Sequence, residues 1–222
     1  MKKKSLTAKK RIHKSVLNHL KDIRVNKVFI GLKNYLDKFI SNKNKIGVAI
    51  SGGPDSLALA FLIKCYQLLN NLDAKFFIVD HRLRKESSKE AKLTKLLLKK
   101  FDIDCKIFKW RGKKPSSNIQ SIARNERYKL LKIACKKNNI KHLLIGHHVD
   151  DLYENFFIRL LRGSGLRGLS SFGEPIREED NFFILRPLIQ FKKEELVYIS
   201  KLVFNFFIKD PSNENLFFQR SR

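Results

Sequence analysis

The chain has 222 residues, 43% of them hydrophobic, with 47 Lys and Arg against 21 Asp and Glu, a formal net charge of +26. That length and apolar content suit one well-buried domain and exclude wholesale disorder or several large domains. So large a positive surplus repels itself in the compact state, and nucleic acid is the commonest polyanion that would use it; a merely lysine-rich composition is the alternative. Cys65, Cys105 and Cys135 are far apart and form no C-x-x-C pair. This argues against zinc, iron–sulfur or a disulfide framework and fits a reducing, cytoplasmic compartment. No apolar run approaches the roughly 18 residues of a membrane span. Met1-Lys2-Lys3-Lys4 also lacks the apolar core that follows in a secretory signal.

Residues 1–24 show weak periodicity and many lysines, and read as a solvated basic arm. Helical spacing begins at Val28 and continues through Phe29, Leu32, Leu36, Phe39 and Ile40. Ile46–Ile50 is a short apolar run stopped by Gly52-Gly53, as expected of a buried parallel strand, and Leu57–Leu69 is long and apolar enough for a buried helix. The alternation then repeats: strands over Lys75–Val79, Cys105–Phe108 and His142–Ile145, helices over Ser88–Lys100, Asn118–Lys137 and Asp150–Arg162. Such a chain predicts an α/β fold, a parallel sheet with helices on both faces. Past Gly163 the pattern loosens, leaving a strand at Phe182–Leu185, a helix at Lys192–Phe204 and a polar tail. The expected division is therefore a basic arm, 1–24, and one domain, 25–222, with a looser part at 163–222.

In an open parallel sheet, ligands bind beyond the carboxyl ends of the strands. Four segments fall there: Ser51–Ser56, Asp80–Leu83, Lys109–Lys114 and Gly146–Asp151. In the first, Gly52 and Gly53 let the backbone turn tightly and approach a ligand, while the unpaired amides of the following helix favour an anion. Pro54 suits a first-turn position, and Ser51 and Ser56 could add hydroxyl donors to a phosphate. Asp55 would repel phosphate unless a metal ion bridged the two. The alternative is a capped strand-to-helix turn. The loop lacks the G-K-[ST] ending of the common P-loop.

Ser51-Gly52-Gly53-Pro54-Asp55-Ser56 resembles the S-G-G-x-D-S loop of the N-type ATP pyrophosphatases, and Val79-Asp80-His81-Arg82-Leu83-Arg84 resembles their V-D-H-x-L-R. Within that superfamily, four further stretches are similar to the tRNA(Ile)-lysidine synthetases. These are Asn118-Ile119-Gln120 with Ala123-Arg124-Asn125-Glu126-Arg127-Tyr128, Gly146–Glu154 (H-H-x-D-D-x-x-E), Leu160–Leu169 (L-L-R-G-S-G-L-x-G-L), and the pair Arg186-Pro187-Leu188 and Asp210-Pro211-Ser212-Asn213. The similarity covers roughly Gly47 to Arg222.

The resemblance implies a Rossmann-like fold and a two-step reaction on the wobble cytidine of the CAU-anticodon isoleucine tRNA. ATP adenylates the base at its C2 oxygen and releases pyrophosphate, and the amine of free lysine then displaces AMP. It further implies that Ser51–Ser56, with Asp80, His81, Gly146 and His147, holds ATP, and that Asp55 holds Mg²⁺. Arg124 would stabilise developing charge or the base, and Asp151 and Glu154 would bind the lysine ammonium. Arg127, Arg162 and Arg167 would contact tRNA. By spacing alone, Asp151 and Glu154 share a helix face, as do Arg124 and Arg127. Helix capping remains the other reading of Asp150 and Asp151. His147 and His148, adjacent on an extended segment, point to opposite sides, so one of them is expected to be structural.

The chain departs from the family pattern at Asn155, where a threonine is usual. It also ends at Gln219-Arg220-Ser221-Arg222, where members continue into a C-terminal domain, so it reads as a short form. No membrane partner is expected, and the oligomeric state is open, a homodimer included. The rival readings are a thiolase-like PP-loop enzyme, a metal phosphoesterase using Asp80-His81 and His147–Asp150, and a basic RNA-binding protein with a relict nucleotide loop.

Overall fold

The computed structural model describes residues 2–41, 44–112, 117–154 and 175–208. Helices α1 (Lys2–Asn18) and α2 (Ile23–Phe39) precede β1 (Lys45–Ile50), α3 (Pro54–Asn70), β2 (Asp73–Asp80), α4 (Ser87–Lys99) and β3 (Cys105–Lys109). Then come α5 (Ile119–Lys137), β4 (His142–Leu144), β5 (Ile176–Glu178), β6 (Phe182–Leu185) and α6 (Lys193–Phe204). The six strands form one sheet in the order β3-β2-β1-β4-β6-β5. All neighbours are parallel except β5, which pairs antiparallel with β6.

Period-two alternation assigns each strand residue to one of two cores. Ile46, Val48 and Ile50 of β1, with Phe76 and Ile78 of β2, face α2, α3, α4 and α6. Phe77 of β2, Leu143 and Ile145 at β4, and Ile184 of β6 face Leu131, Ala134 and Cys135 of α5. Helices thus cover both faces, as the alternation of patterns predicts. Helix α3 is buried from Ser56 to Tyr66, which explains its apolar sequence, Lys64 being the one charged residue of that stretch. The short edge strand β5 is not foreseen by the sequence reading; its three residues carry too little pattern to register.

Residues 1–24 differ from the expected solvated arm. Helix α1 packs on the fold through Val16, which is 1% exposed, with Ile12 and Leu17 partly buried beside it. His13 Nε2 lies 2.8 Å from Asp102 Oδ2, and the buried Lys64 ammonium donates to the same carboxylate at 2.9 Å. Asp22 then caps α2, accepting from the amides of Arg24 and Val25 at 2.9 and 3.1 Å. Lys9, Lys10, Arg11 and Lys14 remain exposed on the docked helix.

The sheet order fixes where a ligand can sit. The chain runs outward from β1 to β2 and β3, then returns to the other side of β1 to lay down β4. The strand order therefore reverses between β1 and β4, and the crevice beyond their carboxyl ends is the favoured binding place in such a sheet. No helix among the described residues is long and apolar enough to cross a membrane.

Candidate active site

The loop after β1 and the segment after β4 meet at that reversal. Gly52 adopts φ +90°, a left-handed conformation open chiefly to glycine, and a Cβ there would also lie 2.6 Å from Thr94 Oγ1. Ser56 Oγ sits 3.1 Å from the amide nitrogens of both Ser51 and Gly52 and donates to the Gly53 carbonyl at 3.0 Å. Its proton is thereby used in shaping the loop, while Ser51 Oγ donates to Ser56 Oγ at 3.1 Å. Gly53 at the N-cap of α3 supplies no side-chain acceptor, and Pro54 follows at the first helical position. The first-turn amides of a long buried helix are thus left to face an anion. Across the crevice, Gly146 is favoured by proximity: a Cβ would come within 3.1 Å of the Asp55 carbonyl and the Ser56 amide.

Between these segments lies a cavity of about 210 Å³. Ser51, Asp55 and Ser56 line it from the first loop, Gly146, His147 and Asp151 from the second, and Arg124 and Arg127 from α5. Eight of the residues singled out in the sequence therefore converge on one space. Its apolar wall, including Phe77, Val79, Tyr128 and Leu131, was not singled out as part of a site. Helical spacing of Arg124, Tyr128 and Leu131 on α5 would have placed them on one face, and Arg124 Cζ lies 5.7 Å from the centre of the Tyr128 ring.

Asp55 is the acid at the cavity whose ionisation the fold opposes. Burial raises its carboxyl above the usual range, Asp151 adds to the rise, and His148 and Lys193 oppose it. Its Oδ1 is buried without a hydrogen-bond partner. His148, 5% exposed, sits behind the carboxylates, with Nε2 3.7 Å from Asp55 Oδ2 and 3.6 Å from Asp151 Oδ2. His147 instead lines the cavity, and burial pulls its pKa down to about 4, with Arg124 and Arg186 acting in the same direction. The two histidines do divide their roles, His148 packed inside and His147 at the cavity.

The capping reading is realised for Asp151 within its own helix, whereas Asp150 bonds to the first residue of α6. Asp151 Oδ2 accepts from the His148 amide at 3.0 Å, closing the start of the helical residues 149–154, while Asp150 Oδ2 accepts from the Lys193 amide at 2.8 Å. Asp151 nevertheless still faces the cavity, whereas Asp150 ties this segment to α6. Ser200 Oγ of α6 donates to the Pro54 carbonyl at 2.6 Å, so one helix braces both halves of the site.

Asp80, His81 and Glu154 do not line the cavity. The Asp80 carboxylate is 2% exposed and is filled by its own loop, accepting from Arg82 N, Ser87 Oγ and Ser88 Oγ. His81 Nε2 accepts from Arg127 Nε at 2.9 Å, and burial holds its pKa near about 4. Glu154 is exposed one turn beyond Asp151. Arg162, Arg167, the Leu160–Leu169 stretch and Asp210–Asn213 lie outside the described residues. Cys65, Cys105 and Cys135 are all buried, and burial pushes each thiol up to about 12.

Comparison with known proteins agrees with this geometry. The model of the PP-loop domain family matches residues 24–222. A tRNA(Ile)-lysidine synthase of Orientia tsutsugamushi is 40% identical over 171 residues, 77% of this chain and 38% of the relative. That of Bradyrhizobium diazoefficiens is 37% identical over 177 residues, 79% of this chain and 49% of the relative. The chain thus spans less than half the length of either. Among solved structures, the U34-tRNA thiolase NcsA from Methanococcus maripaludis superposes with a TM-score of 0.74 at 18% identity, covering 85% of this chain and 67% of that one. Candida glabrata FMN adenylyltransferase superposes with a TM-score of 0.54 at 14% identity, covering 87% and 65%. At those identities the superpositions speak for the fold. By the match over residues 24–222, the chain belongs to the PP-loop domain family.

Proposed function

We propose that this chain is a carbon–nitrogen ligase that joins free lysine to C2 of the wobble cytidine in the CAU-anticodon isoleucine tRNA, consuming ATP and releasing AMP and pyrophosphate. The observation that carries the reading is the convergence of Ser51, Asp55, Arg124, His147 and Asp151 on one cavity at the strand-order reversal. The names of the relatives support the substrate and the activity.

In this reading the ATP phosphates lie against the Ser51–Ser56 loop and the first turn of α3. Adenine rests on the apolar wall, with the peptide backbone at Asp80 and His81 beside it, because the Asp80 side chain is already committed to its own loop. Arg124 faces the charge that builds on the α-phosphate and base oxygens as the adenylate forms. Arg127, fixed by His81, contacts RNA, as do Arg162 and Arg167. Asp151, with Glu154 one turn on, binds the lysine ammonium and takes its proton before attack on C2. His147, neutral at physiological pH, can donate or accept one hydrogen bond at the ATP side.

The residues present fit Mg²⁺. Asp55 presents a buried oxygen without a partner and a carboxyl raised by burial, both of which a cation would relieve. Among the described residues no group of three or more His, Cys, Asp or Glu forms a metal cluster. Mg²⁺ is commonly held by one or two carboxylates plus phosphates and water, so Asp55 together with the ATP phosphates suffices. When bound, the ion would neutralise charge on the departing pyrophosphate.

Sulfur transfer is disfavoured by the three buried, protonated thiols. Nucleoside mass analysis of the tRNA after incubation with ATP and lysine tests the proposal: cytidine should be replaced by its lysine adduct. An unmodified cytidine despite tight tRNA binding would favour the RNA-binding reading instead.

A further inference from the structure

Arg186 follows the last residue of β6 and has no role in the account so far. The Ile145 amide donates to the Leu185 carbonyl at 3.0 Å, so Arg186 stands beside the Ile145–His147 segment that lines the cavity. Ile184 faces the α5 core and Leu185 the opposite one, and the same alternation turns Arg186 to the α5 side, next to residues that line the cavity though not itself one of them. Its electrostatic neighbours agree: Tyr128 and Arg124 of α5, Asp151 and His147, with Tyr35 from α2 behind.

Arg186 as a whole is 9% exposed, and its Nε is buried without a hydrogen-bond partner. Among the described residues no ion pair is formed by its guanidinium; Arg124 close by adds like charge, and Asp151 opposes it from beyond ion-pair distance. A buried cation in such a position is unfavourable until an anion supplies both charge and acceptors. The position calls for a small anion entering from the cavity side, and a planar guanidinium suits a carboxylate held by two parallel hydrogen bonds.

We propose that Arg186 binds the carboxylate of the incoming amino acid, so that Asp151 and Arg186 together recognise the opposite charges of free lysine. The inference rests on the lysine-ligating reading above. It makes the site selective for an amino acid over a simple diamine, a distinction that Asp151 and Glu154 alone cannot draw.

The test compares lysine with cadaverine, which is lysine without its carboxylate, as nucleophiles in ATP-dependent modification of the tRNA. Wild-type protein should show a KM for lysine at least about tenfold below that for cadaverine, the effect expected of one charge-assisted pair. In Arg186→Gln the lysine KM should rise to the cadaverine value, while the KM values for cadaverine and ATP stay unchanged. Arg186→Lys should recover part of the preference. An equal loss for lysine and cadaverine would assign Arg186 a purely structural role, and a rise confined to the ATP KM would assign it to a phosphate. If Arg186→Gln does not fold, the wild-type comparison decides, since equal use of lysine and cadaverine overturns the proposal. Lysine-dependent turnover without that preference overturns Arg186 alone; no lysine-dependent turnover at all overturns the underlying reading as well.

Discussion

Gly146 and Asp55 touch across the seam of the site: a side-chain carbon on Gly146 would lie 3.1 Å from the Asp55 carbonyl, so one backbone would have to give by a few tenths of an ångström. The contact is between backbones, so neither partner can turn aside, and it sets the spacing of the loop after β1 against the segment after β4. Gly146→Ala should push the two apart, costing about 1–3 kcal/mol of stability. It should also raise the KM for ATP more than that for tRNA. Chemical denaturation and steady-state kinetics on the same variant check both, and an unchanged ATP KM would show that the seam does not position the nucleotide.

Asp55 is expected to trade stability for function. Its buried carboxylate, with Asp151 nearby, is harder to ionise than an exposed one. Asp55→Asn removes that charge and should melt at or above the wild-type temperature near neutral pH. The variant should gain little from added MgATP, whereas the wild type gains several degrees. Thermal melting with and without MgATP reads this directly; equal stabilisation of both proteins would remove Asp55 from the metal role.

The five parallel strands, the two-faced sheet and the position of the candidate site were legible in the sequence, because Ile46–Ile50 and its successors end abruptly at polar segments. The orientation of individual groups was not. Nothing in Val79–Arg84 says that the Asp80 carboxylate turns inward to Ser87 and Ser88, since those partners lie a loop away. The docking of α1 was hidden by its lysines, although Ile12 and Val16, four residues apart, carried the signal. His147 and His148 are equivalent as letters and separate only when β4 and α6 fix which side is inside. Arg186 was visible as part of a motif, but its burial follows from strand alternation and packing.

His81 supplies a pH signature. Its folded pKa of about 4 lies below the ordinary 6.5, so the folded state favours the neutral ring that accepts from Arg127. That contribution is fully present above about 6.5 and is lost as the pH falls towards about 4. His81→Gln keeps an acceptor but cannot titrate, so its stability should fall less steeply over this window, by up to about 1.4 kcal/mol per pH unit. Denaturation midpoints of the two proteins across the window provide the comparison, and parallel curves would refute it.

The exposed lysines of α1 are expected to meet RNA phosphates, being docked on the fold rather than free in solvent. Replacing Lys9, Lys10 and Lys14 with Gln leaves Val16 and the His13–Asp102 contact in place. Binding of the tRNA should weaken, and the slope of log affinity against log salt should flatten by up to about two. An unchanged slope would leave these lysines as solvated charge only.

The central claim is that this cavity couples cleavage of ATP between its α- and β-phosphates to ligation of lysine to RNA. The most direct measurement follows α-labelled ATP and labelled lysine together in the presence of the CAU-anticodon isoleucine tRNA. The account predicts one AMP released for each lysine bound to RNA, with neither product when Asp55 is replaced by Ala. Formation of ADP, or AMP released without lysine entering the RNA, would contradict it.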